Sequence, residues 1–269
     1  MIPAPFEYVE AASVDEAAGL LRRHGEEAKV LAGGHSLIPL MRLRLAQPTV
    51  LVDISSIGDL RYVRVDGARL RIGAMTRHVD IEESAEARRT LPLLAEVAGE
   101  VGDAQVRNRG TMGGAIAHAD SAGDYPTIAL MLDAEITTDR RTWAARDFFR
   151  GLFTTSLEPD EIVLEVAFPV APGPHRYVKF RRRRFDWAIV AAAAQQTDAG
   201  WRIGLTNVGP TPVRATAVEE ALAGGATAAD AANLAGQGLM PSGDLRASAE
   251  YKRHMATVLT QRAIEQALS

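Results

Sequence analysis

Two glycine-centred clusters carry the residue types in this chain that could do chemistry. Ala32-Gly33-Gly34-His35-Ser36 lies between an apolar stretch and a helix start. Arg109-Gly110-Thr111-Met112-Gly113-Gly114-Ala115 offers a second run of backbone amides plus a hydroxyl. Glycine lets the backbone approach a ligand and adopt positive φ without strain. The amides of such a turn, with a helix N-terminus behind it, form a binding place for a phosphate. The first turn has neither the G-x-G-x-x-G spacing nor the Gly-Lys-Ser/Thr of a P-loop, and alone it reads equally well as a structural turn. Hydrogen bonds to a charged group contribute roughly 1.5–3 kcal/mol each. A micromolar ligand needs about 8 kcal/mol net, and association itself costs several. One short loop is marginal, whereas two loops converging on a diphosphate suffice, which favours a dinucleotide. A bulky β-branched residue at Gly33 or Gly114 is then expected to block the ligand with folding retained. Gly225, in a turn with no strand before it, is expected to tolerate the change.

The other polar residues point to less. His35, His118, Asp120 and Asp124 lack the tight spacing on one element that a metal site needs. Asp124 would repel a diphosphate, so as a ligand residue it is expected to face hydroxyls. Its alternative is a helix N-terminal carboxylate near Pro126. Arg181 to Arg184 is a single basic run in an acidic chain, which reads as a solvated strand face or a subunit contact rather than a nucleic-acid patch. No G-x-S-x-G frame surrounds Ser36, so no hydrolase triad is expected.

These residues need elements to position them. The capping box Ser13-Val14-Asp15-Glu16 opens a helix carrying Leu20 and Leu21, which Gly25 stops. Lys29 to Leu31 reads as a buried strand running into Gly33-Gly34. Ser36 can cap a following helix with Pro39 in its first turn and Leu37, Leu40 and Met41 on its apolar side. Thr49 to Asp53 is a second apolar strand. Arg61 to Val65 and Ala68 to Gly73 form a hairpin around Asp66-Gly67. Leu91 to Val101 reads as helix and Gly102 to Gly123 as a functional loop. A buried helix opens just after Tyr125, and strands follow at Ala134 to Thr138 and Ile162 to Phe168. Ala171-Pro172-Gly173-Pro174 is the best linker candidate. Beyond it, Tyr177 to Arg183, Ala188 to Gln195 and Trp201 to Val208 read as antiparallel strands. A long final helix carries Tyr251, Met255 and Leu259 at i, i+4, i+8.

The composition bounds the answer. The chain has 269 residues, 47% hydrophobic and 24% charged, with a formal net charge of −4 and no cysteine. This is an ordinary globular range that excludes disorder and argues against a dedicated nucleic-acid binder. Without cysteine the chain itself supplies no disulfide, no cysteine nucleophile and no thiolate ligand to a cluster. The most apolar run, Ala188 to Ala194, is seven residues long, against the roughly 18 or more of a membrane span. The N-terminus has no basic start or apolar core, so a cytoplasmic location is the expectation.

The clusters also carry a family resemblance. Ala32 to Pro39 with Arg44-Leu45-Ala46-Gln47-Pro48 resembles the first FAD loop of the flavoprotein (medium) subunit of molybdenum hydroxylases, the group of carbon monoxide dehydrogenase and the xanthine dehydrogenases. Val106 to Gly114, Ala117 to Asp120 and Gly123 to Pro126 resemble its second loop. Phe148 to Gly151, Lys179 to Arg182 and Ser248 to His254 resemble later family segments, in the same order along nearly the whole chain. The resemblance implies an α+β fold, with a two-part FAD-binding domain of the vanillyl-alcohol-oxidase-like type over residues 1–175 (parts about 1–57 and 58–175). A smaller C-terminal α+β domain then spans 176–269. It implies FAD whose diphosphate is held by Lys29, Val30, Leu31, Ala32, Gly33, Gly34, His35, Ser36 and Leu37 and by Thr111, Gly114 and Ala115. With no cysteine, and no reason for His35 or His118 to be an attachment site, the FAD is expected to be non-covalent. Asp124 binds the cofactor further along, and Leu157 and Lys179 lie by the flavin end. A lysine there could favour electron density on the reduced ring; without the family context it would read as a solvated strand lysine.

The function implied is an electron-transfer subunit. It would receive electrons from a small [2Fe-2S] subunit and pass them to a quinone, NAD, oxygen or another acceptor, while a large molybdenum-cofactor subunit oxidises substrate. The assembly would be a hetero-oligomer, with a dimer of heterotrimers as one form. The alternatives are a non-catalytic dinucleotide-binding or assembly protein of the same fold, and a free-standing flavin oxidase.

Overall fold

The computed structural model describes residues 2–269. The first sheet comes from β1 (Glu7–Glu10), α1 (Val14–His24), β2 (Ala28–Leu31), α2 (Leu37–Arg42) and β3 (Val50–Asp53), with parallel strands in the order β1-β3-β2. Ser13 Oγ accepts from the Glu16 N–H at 3.2 Å, and the Glu16 carboxylate reaches back to the Ala12 N–H at 2.8 Å. Gly25 ends α1 at φ 56°. Ala17, Ala18 and Leu21 seat this helix on the central strand β3, whose four residues are all buried. β1 is an addition to the expected elements. It is a short edge strand, mostly exposed, tied to β3 by the Tyr8 hydroxyl donating to Asp53 at 2.6 Å. Ser36 precedes α2 as expected but makes no side-chain cap, because its backbone is already near-helical.

The second sheet is antiparallel, in the order β4-β5-β10-β6-β7. Its hairpin, β4 (Val63–Asp66) and β5 (Arg69–Gly73), turns on Gly67-Ala68 with Asp66 paired to Arg69, one residue later than the sequence signal placed it. Gly67 takes φ 58°, which glycine accommodates at the first position of a two-residue turn. The helices α3 (His78–Glu83), α4 (Ala85–Thr90) and α5 (Pro92–Glu100) follow. The expected loop from Gly102 to Gly123 instead holds α6 (Ala104–Arg107) and α7 (Met112–His118). Side-chain caps start both helices: Asp103 accepts from Val106 N–H at 2.9 Å, and Thr111 from Gly114 N–H at 3.2 Å. α8 (Asp124–Met131) opens at Asp124 rather than after Tyr125, and it is buried at every position but Leu130. β6 (Glu135–Thr138), β7 (Thr142–Ala144), α9 (Ala145–Phe148), the small hairpin β8 (Phe149–Gly151) and β9 (Thr154–Thr155), and β10 (Val163–Pro169) complete the unit.

The third sheet has the order β11-β12-β13-β14, all antiparallel, from β11 (His175–Phe180), β12 (Val190–Thr197), β13 (Gly200–Thr206) and β14 (Val213–Arg214). Helices α10 (Thr216–Ala223), α11 (Ala228–Ala232) and α12 (Ala249–Ala267) follow. Ala191 and Ala193 join the core of the second sheet, while Ala192 and Ala194 pack under α12 with Met255 and Leu259. A strand covered on both faces loses the alternation of a half-buried one, and alanine lets both layers approach closely. Two expectations shift. β11 ends at Phe180, so Arg181 to Arg184 lie in the following loop and not on a strand face. Tyr251 points outward, away from the buried side that holds Met255 and Leu259. No helix among the described residues is long and apolar enough to cross a membrane.

Candidate functional site

The three sheets meet around a cavity of about 600 Å³, within the size range of small-molecule and cofactor sites. From the first unit come Lys29, Val30, Ala32, Gly33, Gly34, His35, Ser36 and Leu37. The second unit brings Thr111, Gly114, Ala115, Asp124 and Leu157, and the third brings Lys179. Of the FAD-holding residues that the resemblance implies, Leu31 alone does not line this space; its side chain packs near Gly34 instead.

The two glycine turns differ in what their amides can do. In the first, no described hydrogen bond accepts from the backbone N–H of Gly33, Gly34, His35, Ser36 or Leu37. Five successive free donors lead into the N-terminus of α2, an arrangement suited to an anion. Gly34 supplies the bend at φ 77°. In the second turn every amide from Arg109 to Ala115 except that of Thr111 is already used. Met112 N–H donates to Thr76 O at 3.0 Å, Gly113 N–H to Ala74 O at 2.8 Å, Gly114 N–H to the Thr111 hydroxyl, and Ala115 N–H to Thr111 O at 3.0 Å. The first turn thus offers five free amides and the second one, that of Thr111, with the rest of the second turn braced by its own hydrogen bonds.

The two turns also touch. A Cβ on Gly33 would fall 2.2 Å from Arg109 O and 2.8 Å from Gly110 Cα. Gly33 is thus required by loop-to-loop packing, and a bulky residue there disturbs the fold as well as the cavity, contrary to the expectation of folding retained. Gly114 is less constrained, with only the Thr111 hydroxyl, at 2.8 Å, in the way. Gly225 has open space but φ 86°, so a side chain there is strained, against the expected tolerance.

Asp124 and Lys179 are partners. Asp124, the first residue of α8, accepts from the Tyr177 hydroxyl at 2.5 Å and from Lys179 Nζ at 2.9 Å. Lys179 also donates to Glu100 O at 3.0 Å. Both side chains of the ion pair are under 4% exposed, at 2% and 3%. Burial pushes the Asp124 carboxyl above the usual carboxylate range, opposed by the Lys179 ammonium and by the two hydrogen bonds. Burial beside Asp124 lifts the Tyr177 phenol well above its ordinary value. Each Asp124 oxygen thus holds a donor from β11 already, and the carboxylate faces a hydroxyl of the protein itself. Leu157 packs against the second core with its N–H donating to Thr155 Oγ1 at 3.2 Å.

Sequence reasoning passed over His78, Met75, Phe185 and Trp187 and gave Val106 and Tyr125 no role of their own within the second-loop resemblance; all six also line the cavity. Their approach depends on long-range pairing. His78 N–H donates to Gly110 O at 3.1 Å beside the bridge between Arg77 and Thr111, which brings α3 under the second turn. Burial, with His35 and Arg107 adding to it, lowers the His78 pKa to about 3, so the imidazole is neutral. His118 is also lowered by burial, and its ring lies 4.9 Å from that of Phe153. Among the described residues no group of three histidine or acidic side chains could hold a metal ion.

The cavity's residues fit a dinucleotide: five free amides for a diphosphate, apolar wall from Val30, Leu37 and Leu157, and further polar atoms deeper in. Comparison with known proteins agrees. Residues 4–171 match the family described as the FAD binding domain in molybdopterin dehydrogenase, and residues 175–267 match the CO dehydrogenase flavoprotein C-terminal domain. The chain is 41% identical over 282 residues to the carbon monoxide dehydrogenase medium chain of Hydrogenophaga pseudoflava, covering 99% of this chain and 98% of that one. It is 34% identical to the nicotine 6-hydroxylase medium subunit of Paenarthrobacter nicotinovorans, covering 97% and 96%. A solved structure of the Hydrogenophaga pseudoflava carbon monoxide dehydrogenase superposes with TM-score 0.95 at 42% identity, covering 100% of this chain and 99% of that one. With a mixed α+β fold, an FAD-binding domain and that C-terminal domain, the chain belongs to the family of FAD-binding medium subunits of the carbon monoxide and xanthine dehydrogenase type of molybdenum hydroxylase.

Proposed function

We propose that this chain is the FAD-carrying electron-transfer subunit of a three-component molybdenum hydroxylase. It takes electrons from a small [2Fe-2S] subunit and passes them to an external acceptor, while substrate is oxidised in a large molybdenum-cofactor subunit. The observation that carries the reading is the run of five free amides from Gly33 to Leu37 facing the braced second turn across one cavity. Bound FAD supplies electron exchange in pairs or singly. The chain's own residues bind and orient. The first-turn amides take the diphosphate, and Thr111, Gly114 and Ala115 wall it from the other side. Asp124 and Lys179 set the polarity deeper in, and Leu157 gives an apolar surface. We place the two-part FAD-binding domain of the vanillyl-alcohol-oxidase-like type at residues 1–175 and the C-terminal domain at 176–269. The lack of cysteine means that any iron–sulfur cluster in the complex is ligated by another chain.

The purified chain is expected to take up one FAD per polypeptide, all of it released by acid precipitation. Co-purification from the native source should bring down a molybdenum-containing large subunit and a small iron–sulfur subunit. An FAD stoichiometry near zero at saturation would overturn the cofactor assignment. Full substrate turnover by the isolated chain would replace this reading with a free-standing oxidase.

A further inference from the structure

His78 and Tyr125 line the cavity with no role in the reading above. They are 4% and 1% exposed, and their rings lie 5.1 Å apart at 46°. Neither His78 Nδ1 nor the Tyr125 hydroxyl finds a hydrogen-bond partner within the chain. Buried polar side-chain atoms are nearly always paired, so two orphans on one cavity wall mark a place where something outside the chain pairs them. Neither group carries charge: burial keeps the imidazole neutral and the phenol protonated. Arg107, the cation whose charge acts on both groups, is held by Glu82 at 2.8 Å. Such a wall does not suit a phosphate or a carboxylate, which would lose its hydration without gaining a counter-charge. The ring of His78 is also fixed, since it packs against Gly110, where a Cβ would meet Nε2 at 2.5 Å.

We propose that His78 Nδ1 and the Tyr125 hydroxyl form a polar subsite of the cavity that takes an uncharged hydroxyl oxygen, supplied by the sugar-alcohol part of the bound dinucleotide or by a retained water. The phenol donates to that oxygen, and the imidazole accepts its proton or donates in turn, according to tautomer. The dinucleotide source rests on the FAD reading of the cavity; the water source does not.

Tyr125→Phe removes only the hydroxyl, and it has opposite consequences if the group is paired or unpaired. Deleting an unpaired buried hydroxyl relieves a desolvation penalty and leaves Tm unchanged or higher; deleting a paired one lowers it. FAD titration and FAD-free thermal denaturation of wild type and variant are the measurements. A loss of about tenfold in FAD affinity at unchanged FAD-free Tm assigns the oxygen to the dinucleotide. A lower FAD-free Tm at unchanged affinity assigns it to water. Unchanged affinity together with an unchanged or raised Tm, in a protein that binds FAD, overturns the subsite. Failure of the wild type to bind FAD at all refutes the function reading instead, and the Tm comparison still decides the water arm. A crystal structure of the FAD-loaded protein is expected to show an oxygen within about 3.2 Å of either atom; density without one overturns the subsite independently.

Discussion

His78 ties stability to pH through burial of its imidazole. An exposed histidine in the unfolded chain protonates near 6.5, while the folded residue holds off until about 3. Between those values the unfolded state binds one more proton, so stability is complete above pH 6.5 and is lost as pH falls toward 3. Acidification from pH 7.5 to 5 is expected to remove roughly 2 kcal/mol through this residue. Urea unfolding at both pH values would read it, and His78→Asn should flatten that part of the slope. An equal slope in the variant would assign the loss to other groups. Asp124 calls for a different test. Asp124→Asn leaves the ammonium of Lys179, 2% exposed, without its counter-charge. Removing one partner of such a pair costs about 3 kcal/mol or more. The double variant with Lys179→Met is expected to recover part of that loss; strictly additive losses would mean that the two side chains are not coupled in solution.

At the level of elements, the two turns make opposite demands on glycine. Gly33→Ala forces a Cβ against Arg109 O and should both weaken FAD binding and destabilise by about 1–3 kcal/mol, as overpacking does. Gly225→Ala meets no neighbour but sits at φ 86°, so a stability loss of about 1 kcal/mol with FAD affinity unchanged is expected. FAD titration beside chemical denaturation separates the two. Normal FAD binding by a stable Gly33→Ala protein would show that the turns do not pack as described. What the sequence made legible here is local. The Ser13 cap, the Gly25 stop, the hairpin and the strands Lys29 to Leu31 and Ile162 to Phe168 each carry their signal within a few residues. The first of these strands is nevertheless a half-buried edge strand and not the buried one expected, since among the described residues no strand pairs with its outer side. What it hid depends on distant partners. The amides of Met112 and Gly113 are spent on Thr76 and Ala74, which no motif in the second turn discloses. α7 was hidden because its glycines argue for loop, and the Thr111 cap and the packing of Gly113 on Ala74 override that propensity. β1 was too short and too exposed to show a pattern.

Across the whole molecule, the third sheet docks on the second beside the cavity. Lys179 reaches Asp124, the Thr127 and Thr206 hydroxyls meet at 2.7 Å, and Asn207 N–H donates to Ser121 O at 2.8 Å. The loop after β11 then carries Phe185 and Trp187 to the rim of the cavity, both about half exposed, at 54% and 47%. Its arginines are not equivalent. Arg181 is held by Glu100 at 2.6 Å, and Arg184 lies over the Phe185 ring at 5.5 Å. Arg182 and Arg183 are exposed on the same loop and remain available to a partner. A subunit delivering electrons must come within tunnelling reach of the cofactor, and stable interfaces bury well over about 1,200 Å² with arginine enriched. On the proposed function, the paired change Arg182→Glu with Arg183→Glu is therefore expected to weaken assembly with the iron–sulfur subunit, or to slow reduction of the flavin in the reconstituted complex. FAD content should be untouched, since neither residue lines the cavity. The difference from wild type should shrink as ionic strength rises, because salt screens both the attraction that is lost and the repulsion that is introduced. Rapid mixing with substrate, read at the flavin band, measures transfer, and gel filtration measures assembly. Wild-type behaviour in both would make these arginines an ordinary solvated loop and move the electron entry face elsewhere on the rim.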